Sequence, residues 1–517
     1  MSVCKVTDVS HGFGDRKILE HASFVINKGE HIGLIGANGE GKSTFINILM
    51  GNITPDDGKI EWAKHLTVGY LDQYTTLRHG MTIRDALRDA FKDMYDLESQ
   101  ILESYEKMST ASEEEINYLL EDIGEMQSIL DASGFYSIDA KIEEVASGLG
   151  LLEIGLDRFV DELSGGQRSK VLLTKLLLQN PQILILDEPT NFLDTNHIEW
   201  LKNYLINFEN AFLLVSHDIP FLSSIVNVIY HLENGNMMRY SGSYEQFLKA
   251  YEIKKAQANA MYEAQQREIR DLEDFIARNK ARVATRNMAN SRQKKLDKME
   301  ILEKPKESID PVFNFAYGKT PGKVLFEIKD LVIGYDSALS KPINLEICRG
   351  DKLAIVGANG IGKSTLLKSL IGSLKPISGQ VIKNIGVEIG YFEQEAAESR
   401  KTALQEVWDM YPYLTNGEVR GKLAMVGLTT NHIESLMIAL SGGEAAKVRL
   451  CKIMMSESNV LILDEPTNHL DVNAKKALKE ALANYRGTII LVSHEPEFYQ
   501  GLVTNIINAE EYTLKLL

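Results

Sequence analysis

The sequence predicts an α/β protein with two tandem P-loop domains, a helical hairpin inserted in the first domain and a two-helix linker between the domains. Three observations support this fold: long segments occur twice in the same order, most spacings inside the copies agree, and one interval is longer in the first copy. The repeated segments are GANGEGKST and GANGIGKST, LSGGQ and LSGGE, LILDEPTNFLD and LILDEPTNHLD, and LLVSHD and ILVSHE. Such long segments indicate a duplicated domain, because a solenoid repeats about every 20–50 residues.

The spacings locate the insertion. From the P-loop lysine to a glutamine there are 31 residues in both copies, from the LSGG serine to a glutamate 24, and from that glutamate to a histidine 29. From the glutamine to the serine there are 91 residues in the first copy and 47 in the second, so the first copy carries 44 extra residues. We place the insert at about 84–142, where heptad-like apolar spacing predicts two antiparallel helices. Arg84–Glu144 holds 17 acidic and 5 basic residues.

The segment between the copies has a different character. We assign 1–243 to the first domain, 244–321 to a helical linker and 322–517 to the second domain. Tyr251–Ile276 contains no glycine or proline and predicts one long helix, and Ser291–Leu302 is also compatible with a helix. Between them, 277–298 contains eight basic residues and one acidic residue. These eight are candidate RNA contacts: Arg278, Lys280, Arg282, Arg286, Arg292, Lys294, Lys295 and Lys298.

Composition restricts the class of protein. The 517 residues carry a formal net charge of −16, so contact with nucleic acid requires a local basic patch. No stretch free of charged residues reaches the roughly 18 needed to span a bilayer, and the N-terminus lacks the apolar core of a secretory signal. Three distant cysteines fit neither a disulfide framework nor a zinc site. We therefore expect a cytoplasmic protein without a membrane segment.

Each Gly-x-x-x-x-Gly-Lys-Ser segment follows an apolar strand and opens a helix, as a phosphate-binding P-loop does. Its glycines turn backbone N–H groups toward the phosphates, and the helix N-terminus adds partial positive charge. Lys42 and Lys363 are expected to bridge the β- and γ-phosphates of ATP, and Ser43 and Ser364 to bind Mg²⁺. The remaining predicted loop contacts are Gly36, Asn38, Gly39, Gly41 and Thr44 in the first copy and Gly357, Asn359, Gly360, Gly362 and Thr365 in the second.

The DEP segments supply acids at the end of a strand of four apolar residues. We expect Asp187 and Asp464 to act at the metal or its water, and Glu188 and Glu465 to be the general bases for the attacking water. A histidine follows a second apolar strand in each copy at the same spacing. These two histidines are expected to reach the γ-phosphate and the water: His217 and His494.

Two further pairs complete the predicted sites. Gln73 and Gln394 are expected to contact Mg²⁺ and the water. Phe13 and Tyr335 lie 23 and 22 residues before Gly36 and Gly357 and are candidates to stack on adenine. Simple packing of these two aromatic rings is the alternative.

The combination of P-loop, glutamine, LSGGQ, DEPTN-x-LD and histidine resembles the ATP-binding-cassette ATPases over both halves of the chain. The resemblance implies that each LSGG loop acts in trans, on the ATP that the other cassette holds. The site with Lys42, Gln73, Glu188 and His217 is then completed by Ser441, Gly442 and Gly443. The site with Lys363, Gln394, Glu465 and His494 is completed by Ser164, Gly165 and Gly166. It also implies that both sites hydrolyse ATP and that a monomer pairs its own cassettes.

The whole arrangement resembles the ABC-F subfamily, which has two cassettes on one chain, an arm in the first cassette and a charged helical linker. That resemblance implies binding to the 70S ribosome near the exit site, with the linker directed toward ribosomal RNA and the peptidyl-site tRNA. It implies an ATPase that regulates or rescues translation. Within the same subfamily, antibiotic resistance by ribosomal protection is the alternative.

Two other functions remain open at this level. A transporter ATPase subunit would use the same cassettes but needs neither the arm nor the basic linker. A DNA-associated ATPase could use a basic helix, but related two-cassette proteins of that kind tend to carry a C-terminal coiled coil. The second LSGG loop ends in Glu444 where the first has Gln167, and Phe192 stands where the second copy has His469. The latter difference predicts unequal rates at the two sites.

Overall fold

The structure is a computed structural model. It describes residues 2–14, 16–37, 39–71, 77–108, 112–279, 286–299, 302, 310–335, 337–393, 399–468 and 470–514. The chain divides into two compact units, one formed by Met1–Arg239 with Asp310–Leu517 and the other by Tyr240–Ile309. Among the described residues, no helix combines the length and apolar character required to cross a bilayer.

The first cassette contains two sheets. One is antiparallel, with strand order β2-β1-β4, and the other has six strands in the order β5-β6-β7-β3-β8-β9. β6 and β7 pair in parallel and are almost completely buried, which explains their continuous apolar sequences. The strands are β1 (Ser2–Phe13), β2 (Arg16–Asn27), β3 (His31–Ile35), β4 (Asp57–Trp62), β5 (Val68–Tyr70), β6 (Ile183–Asp187), β7 (Ala211–Val215), β8 (Val228–Glu233) and β9 (Asn236–Ser241).

Helices cover the six-stranded sheet and form a helical subdomain. Phe24 and Phe45 pack edge to face in the core between the two sheets and the P-loop helix. The helices are α1 (Lys42–Leu49), α2 (Ile83–Arg88), α3 (Lys92–Met108), α4 (Glu113–Ser133), α5 (Ile138–Gly148), α6 (Leu151–Ile154), α7 (Gly165–Gln179), α8 (Thr195–Ile206) and α9 (Ile219–Ile225).

The insertion in the first cassette contains the two predicted helices, α3 and α4. The Tyr95 ring meets Phe135 just beyond α4, and Gln127 donates a 3.2 Å hydrogen bond to the Tyr105 hydroxyl. The start of α3 thus lies beside the end of α4, and the later Tyr105 lies beside the earlier Gln127, so the two helices are antiparallel. Gly134, with φ +72°, ends α4 in the left-handed conformation that glycine adopts most easily.

The second unit is built on α10 (Tyr244–Asn279) and α11 (Arg286–Asp297). Arg292 lies 3.5 Å from the centre of the Phe275 ring, and Lys295 pairs with Glu268 at 2.6 Å, so these helices are also antiparallel. Both helix predictions need correction at their ends. α10 begins at Tyr244 because Ser243 and Gln246 cap it reciprocally.

The second helix of this unit also lies earlier than its sequence suggested. It starts five residues before Ser291 and ends at Asp297 instead of Leu302. Arg292 and Lys295 of this helix contact α10, and Ala289 is buried. Apolar periodicity does not signal contacts that are made by charged side chains.

The second cassette repeats the architecture, and its described residues contain no counterpart of the α3–α4 pair. Its antiparallel sheet has the order β11-β10-β13, and its parallel sheet has the order β14-β15-β16-β12-β17. The strands are β10 (Val324–Val332), β11 (Ile343–Cys348), β12 (Lys352–Val356), β13 (Ser378–Lys383), β14 (Ile389–Phe392), β15 (Val460–Asp464), β16 (Thr488–Val492) and β17 (Asn505–Asn508). The helices are α12 (Lys363–Ile371), α13 (Ala403–Trp408), α14 (Asn416–Met425), α15 (Thr430–Glu434), α16 (Gly442–Met455), α17 (Val472–Asn484) and α18 (Pro496–Tyr499).

The prediction of two tandem α/β P-loop domains is confirmed, because each copy of the repeat forms its own pair of sheets. The exact domain limits at 243/244 and 321/322 remain a prediction.

Candidate nucleotide and catalytic sites

Each P-loop joins a buried parallel strand to a helix. The loop after β3 leads into α1, and the loop after β12 leads into α12. Lys42 donates hydrogen bonds from Nζ to the carbonyl oxygens of Gly36 at 2.7 Å and Ala37 at 3.0 Å. Lys363 does the same to Gly357 and Ala358 at 2.8 and 2.9 Å. The loop therefore wraps around its own lysine in both cassettes.

Glycine is required where the loop turns into the helix. Gly41 has φ +102°, and a Cβ there would lie 2.4 Å from Cγ2 of Ile18. Gly362 has φ +106° at the same position of the second loop. Thr44 and Thr365 lie in the first turn of the helices, and Gly39, Asn359 and Gly360 lie in the described part of the loops. Asn38 lies outside the described residues.

The strand-end aspartates meet the P-loop serines. Asp187 ends β6 and accepts a 3.3 Å hydrogen bond from the Ser43 hydroxyl. Asp464 ends β15. Burial raises the pKa of Asp464, and a hydrogen bond from the Ser364 side chain opposes that shift. The Oδ1 atom of Asp464 is buried without a hydrogen-bond partner among the described residues. A hydroxyl and a carboxylate with spare acceptor capacity fit Mg²⁺, which prefers oxygen ligands and keeps phosphates and waters as its other ligands.

The adjacent glutamates occupy an unusual backbone conformation. Glu188 and Glu465 have φ +50° and +48°, in the left-handed region that residues with a side chain rarely adopt. Their backbone N–H groups donate to Val215 and Val492 of the neighbouring strands at 2.9 and 3.0 Å. The sheet thus holds a turn that places a carboxylate beyond the strand end, and the repetition of this strain in both cassettes supports a catalytic role.

Burial changes the proton affinity of both glutamates. Burial and the nearby charge of Asp187 raise the pKa of Glu188 to about 8. Burial also raises the pKa of Glu465, to about 7, and the positive charge of Lys363 opposes that shift. Buried carboxylates with pKa values near neutrality are suited to accept a proton from water. The Oε1 atom of Glu188 has no hydrogen-bond partner among the described residues and remains available to accept one.

The histidines lie beside these carboxylates. The His217 backbone N–H donates to Glu188 Oε2 at 3.3 Å, and its ring Nε2 lies 3.6 Å from Glu188 Oε1. In the second cassette, His494 Nε2 lies 3.2 Å from Glu465 Oε1 and 2.8 Å from Lys363 Nζ. Burial and the charge of Lys363 lower the pKa of His494 to about 4, so this ring is neutral at physiological pH.

The LSGG serines begin the helices that follow them. Ser164 accepts a hydrogen bond from the Gln167 N–H at 3.4 Å and Ser441 accepts one from the Glu444 N–H at 3.4 Å, so they are the N-caps of α7 and α16. The side chains of Gln167 and Glu444 in turn accept hydrogen bonds from the backbone N–H groups of these serines. Gly165, Gly166, Gly442 and Gly443 form the first turns of these helices and present backbone N–H groups at the positive end of the helix dipole.

Two further candidate site residues were given no role from the sequence: Asp194 and Asp471, the last residues of the DEPTN-x-LD segments. Burial lowers the pKa of Lys42, and the negative charge of Asp471 in the other cassette is among the charges that oppose this shift. Asp194 opposes the lowering of the Lys363 pKa in the same way. Each aspartate is therefore near enough for its charge to act on the P-loop lysine of the other cassette. Their repetition at matched positions was the available signal.

The predicted adenine-stacking side chains have exposed rings. Phe13 is 56% exposed and Tyr335 is 63% exposed, so neither ring is part of the core and both can receive a base. Phe13 lies at the end of β1 and contacts His11 edge to face. The glutamines Gln73 and Gln394 lie outside the described residues, as does His469.

The candidate RNA contacts divide into two groups. Arg292 and Lys295 contact α10 and help to hold the helices together. Arg278, Lys294 and Lys298 are exposed, and Arg278 lies 3.5 Å from Asp274 at the end of α10. Lys280 and Arg282 lie outside the described residues, and Arg286 is described only as the first residue of α11.

Comparisons with known proteins agree with this geometry. The chain matches the family described as "ABC transporter" over residues 19–191 and 340–468, and a second family of the same description over 230–315. It is 57% identical over 518 residues to an uncharacterized ABC transporter ATP-binding protein, YfmM, of Bacillus subtilis, with 100% of each chain covered. It is 36% identical to ABC transporter F family member 5 of Arabidopsis thaliana, covering 99% of this chain and 75% of that one.

A solved structure shares the fold at low identity. The archaeal ribosome recycling factor aABCE1, in complex with the stalk protein aP1, superimposes with a TM-score of 0.57 at 19% identity, covering 97% of this chain and 87% of that one. The chain belongs to the F family of ATP-binding-cassette proteins, whose cassette domains make it an ATP hydrolase.

Proposed function

We propose that this chain is a ribosome-binding ATPase that couples ATP binding and hydrolysis at two intramolecular sites to the regulation or rescue of translation. Each site combines the P-loop, strand-end acids and histidine of one cassette with the LSGG loop of the other. The charges of Asp471 at Lys42 and of Asp194 at Lys363 support this arrangement, since each acts on the P-loop lysine of the other cassette.

The chemistry follows from the residues at the strand ends. Glu188 or Glu465 accepts a proton from water as the water oxygen forms a bond to the γ-phosphorus and the bond from that phosphorus to the ADP oxygen breaks. His217 or His494 orients the water or the γ-phosphate, and the P-loop lysine leaves its loop carbonyls for the phosphates. Mg²⁺, held by Ser43 and Asp187 or by Ser364 and Asp464, supplies positive charge to the phosphate oxygens when bound.

One observation carries the ribosomal part of the proposal. Segment 277–298 has a net charge of +7 on a chain whose net charge is −16, counting eight basic residues against one acid. Arg278, Lys294 and Lys298 are exposed there and belong to the second unit, Tyr240–Ile309. A basic patch on an acidic protein favours a polyanion as its partner, and ribosomal RNA or tRNA is the polyanion expected for an ABC-F protein.

Sedimentation with 70S ribosomes tests this proposal. The ATP-trapped protein, with Glu188→Gln and Glu465→Gln, is expected to pellet with ribosomes. Adding Arg278→Gln, Lys294→Gln and Lys298→Gln should weaken binding and lower the log–log salt slope by up to about three. These three side chains are chosen because, unlike Arg292 and Lys295, they do not hold α11 against α10.

The matched control changes the same number of charges on the first cassette. Lys28, Lys59 and Lys64 are exposed, and their replacement by glutamine should leave the salt slope unchanged. Equal loss in both triple variants would show that only net charge matters. If the trapped protein without these changes fails to pellet, the ribosomal proposal is wrong.

A further inference from the structure

The second LSGG loop is held by a buried carboxylate. Glu444 is 7% exposed, and its Oε2 atom accepts a 3.0 Å hydrogen bond from the backbone N–H of Ser441. Its own N–H donates to the Ser441 hydroxyl. Glu444 therefore fixes both the backbone and the side chain of the serine that begins α16.

A histidine from the preceding helix lies against the other oxygen of this carboxylate. His432 in α15 is 8% exposed, and its Nε2 atom lies 3.3 Å from Glu444 Oε1. The Nδ1 atom of the same ring accepts a 3.5 Å hydrogen bond from the N–H of Thr429. Because Nδ1 is an acceptor, the proton of the neutral ring is on Nε2, the atom that faces Glu444.

The first cassette lacks both members of this pair. Residues 150–163 and 427–440 have equal length and end at the same leucine, so His432 corresponds to Gly155 and Glu444 to Gln167. The Gln167 side chain makes the same local bond, accepting from the Ser164 N–H at 3.0 Å. The local capping geometry is thus shared, and the side chain that supports it differs.

The difference has an energetic consequence. A glutamine amide is neutral and tolerates partial burial, whereas a buried carboxylate is costly unless other groups compensate its charge and fill its acceptor sites. The N-terminus of α16 compensates part of the charge. The nearby Lys447 is engaged with Asp471 at 2.8 Å. The Nε2–H group of His432, 3.3 Å from Oε1, is a polar group placed to compensate the rest through its dipole, although the two atoms form no hydrogen bond in the described part of the chain.

We propose that His432 and Glu444 are positioning residues that together hold Ser441 in the orientation needed to close on the γ-phosphate. The ATP site completed by Ser441 then depends on a side-chain pair that is replaced by Gly155 and Gln167 at the other site. This inference rests on the proposed pairing, in which Ser441 serves the P-loop of Lys42. It also gives the two sites different sensitivity to substitutions in their LSGG loops.

A double-mutant cycle confined to one site tests the pair. In a Glu465→Gln background, hydrolysis comes from the site of Lys42, Glu188 and Ser441. There, His432→Ala should lower kcat at least 10-fold with KM for ATP changed less than 3-fold, because the P-loop is untouched. Once Glu444 is replaced by Gln, the same His432→Ala should cost less than 3-fold, since the amide carries no charge for His432 to compensate.

The thermal midpoint of the nucleotide-free protein provides a readout independent of hydrolysis. His432→Ala should lower Tm by several degrees with Glu444 present and by clearly less with Gln at that position. Equal Tm losses in both contexts would show that the two side chains are not coupled and would overturn the inference. Equal kcat losses in both contexts would overturn it as well.

The Glu188→Gln background distinguishes an effect on Ser441 from a general loss of activity or folding. With Glu188→Gln, hydrolysis comes from the site of Lys363 and Ser164, and His432→Ala should lower kcat there far less. A loss of the same size in both backgrounds would contradict a role at Ser441. If the variant with both glutamates replaced keeps full ATPase activity, the proposed catalytic assignment fails, and the Tm cycle then decides alone whether His432 and Glu444 are coupled.

Discussion

The Nζ atom of Lys363 lies 2.8 Å from the Nε2 atom of His494 in the second nucleotide site. The lysine is the donor, so Nε2 is an acceptor and its ring is neutral. The same nitrogen lies 3.2 Å from Glu465 Oε1, so two predicted catalytic side chains and the predicted phosphate-binding lysine share one contact network. If Lys363 binds the phosphates as predicted, we expect ATP to compete with His494 for its ammonium group.

We expect His494 to remain neutral throughout pH 5–8 in the nucleotide-free protein, since burial and Lys363 lower its pKa to about 4. NMR titration of the histidine ring signals measures this directly, and the signal is identified as the one that His494→Gln removes. A transition near the ordinary histidine pKa of about 6.5 would contradict the Lys363 contact.

Replacing the buried glutamates should stabilise the nucleotide-free protein in a pH-dependent manner. The pKa of Glu188 is about 8, above the roughly 4.5 of an unfolded glutamate, so the folded state binds this proton more tightly. The contribution of protonated Glu188 to the free energy of unfolding is therefore complete below about pH 4.5 and is lost as the pH rises toward 8. Glu188→Gln should raise the free energy of unfolding by roughly 1–3 kcal/mol at pH 8 and little near pH 5.

The measurement is thermal or urea unfolding of the two proteins across that pH range. Glu209→Gln is the matched control, because Glu209 is exposed in the same cassette. A stability difference that does not grow between pH 5 and pH 8 would mean that Glu188 is ionised throughout.

The variant with Glu188→Gln and Glu465→Gln tests the general bases. It keeps the size and hydrogen bonds of both side chains but removes the proton acceptor, so ATP should bind while hydrolysis slows by roughly 100- to 10,000-fold. Single-turnover hydrolysis and equilibrium nucleotide binding measure the two properties separately. Activity within a few-fold of the unmodified protein would reject the assignment.

Because Asp471 and Asp194 each act on the P-loop lysine of the other cassette, replacing either one should impair hydrolysis mainly in the other cassette. Asp471 pairs with Lys447 and caps α17 at Ala474, both at 2.8 Å, and Asp471→Asn keeps only the cap. The unpaired Lys447 should lower stability by roughly 1–3 kcal/mol. Hydrolysis should fall mainly at the site of Lys42, which lies in the other cassette.

The matched variant is Asp194→Asn, which should act mainly at the site of Lys363. Each site is followed alone by replacing the glutamate of the other site with glutamine. The pattern is contradicted if each substitution impairs the site of its own cassette more strongly.

The repeated segments were sufficient to predict two cassettes because equal spacings require equal placement of strands and helices. Lys42, Asp187 and Glu188 could be assigned for the same reason: a loop after an apolar strand or the end of a buried strand has few possible positions. The second linker helix begins at Arg286, five residues before the predicted start, and Arg292 and Lys295 hold it against α10 through charged side chains that apolar periodicity does not signal.

The sequence by itself determined which residues can bind phosphate, ligate magnesium and accept a proton, because those roles depend on residue type and on position within a local turn. Only the tertiary structure decided their proton affinities and their partners. The pKa of Glu188 rises because folding buries it, and His432 reaches Glu444 because the fold brings one residue of α15 within 3.3 Å of the first turn of α16. Asp471 acts on Lys42 for the same physical reason: electrostatic interactions depend on distance in space, and folding brings together charges that lie 429 residues apart in the chain.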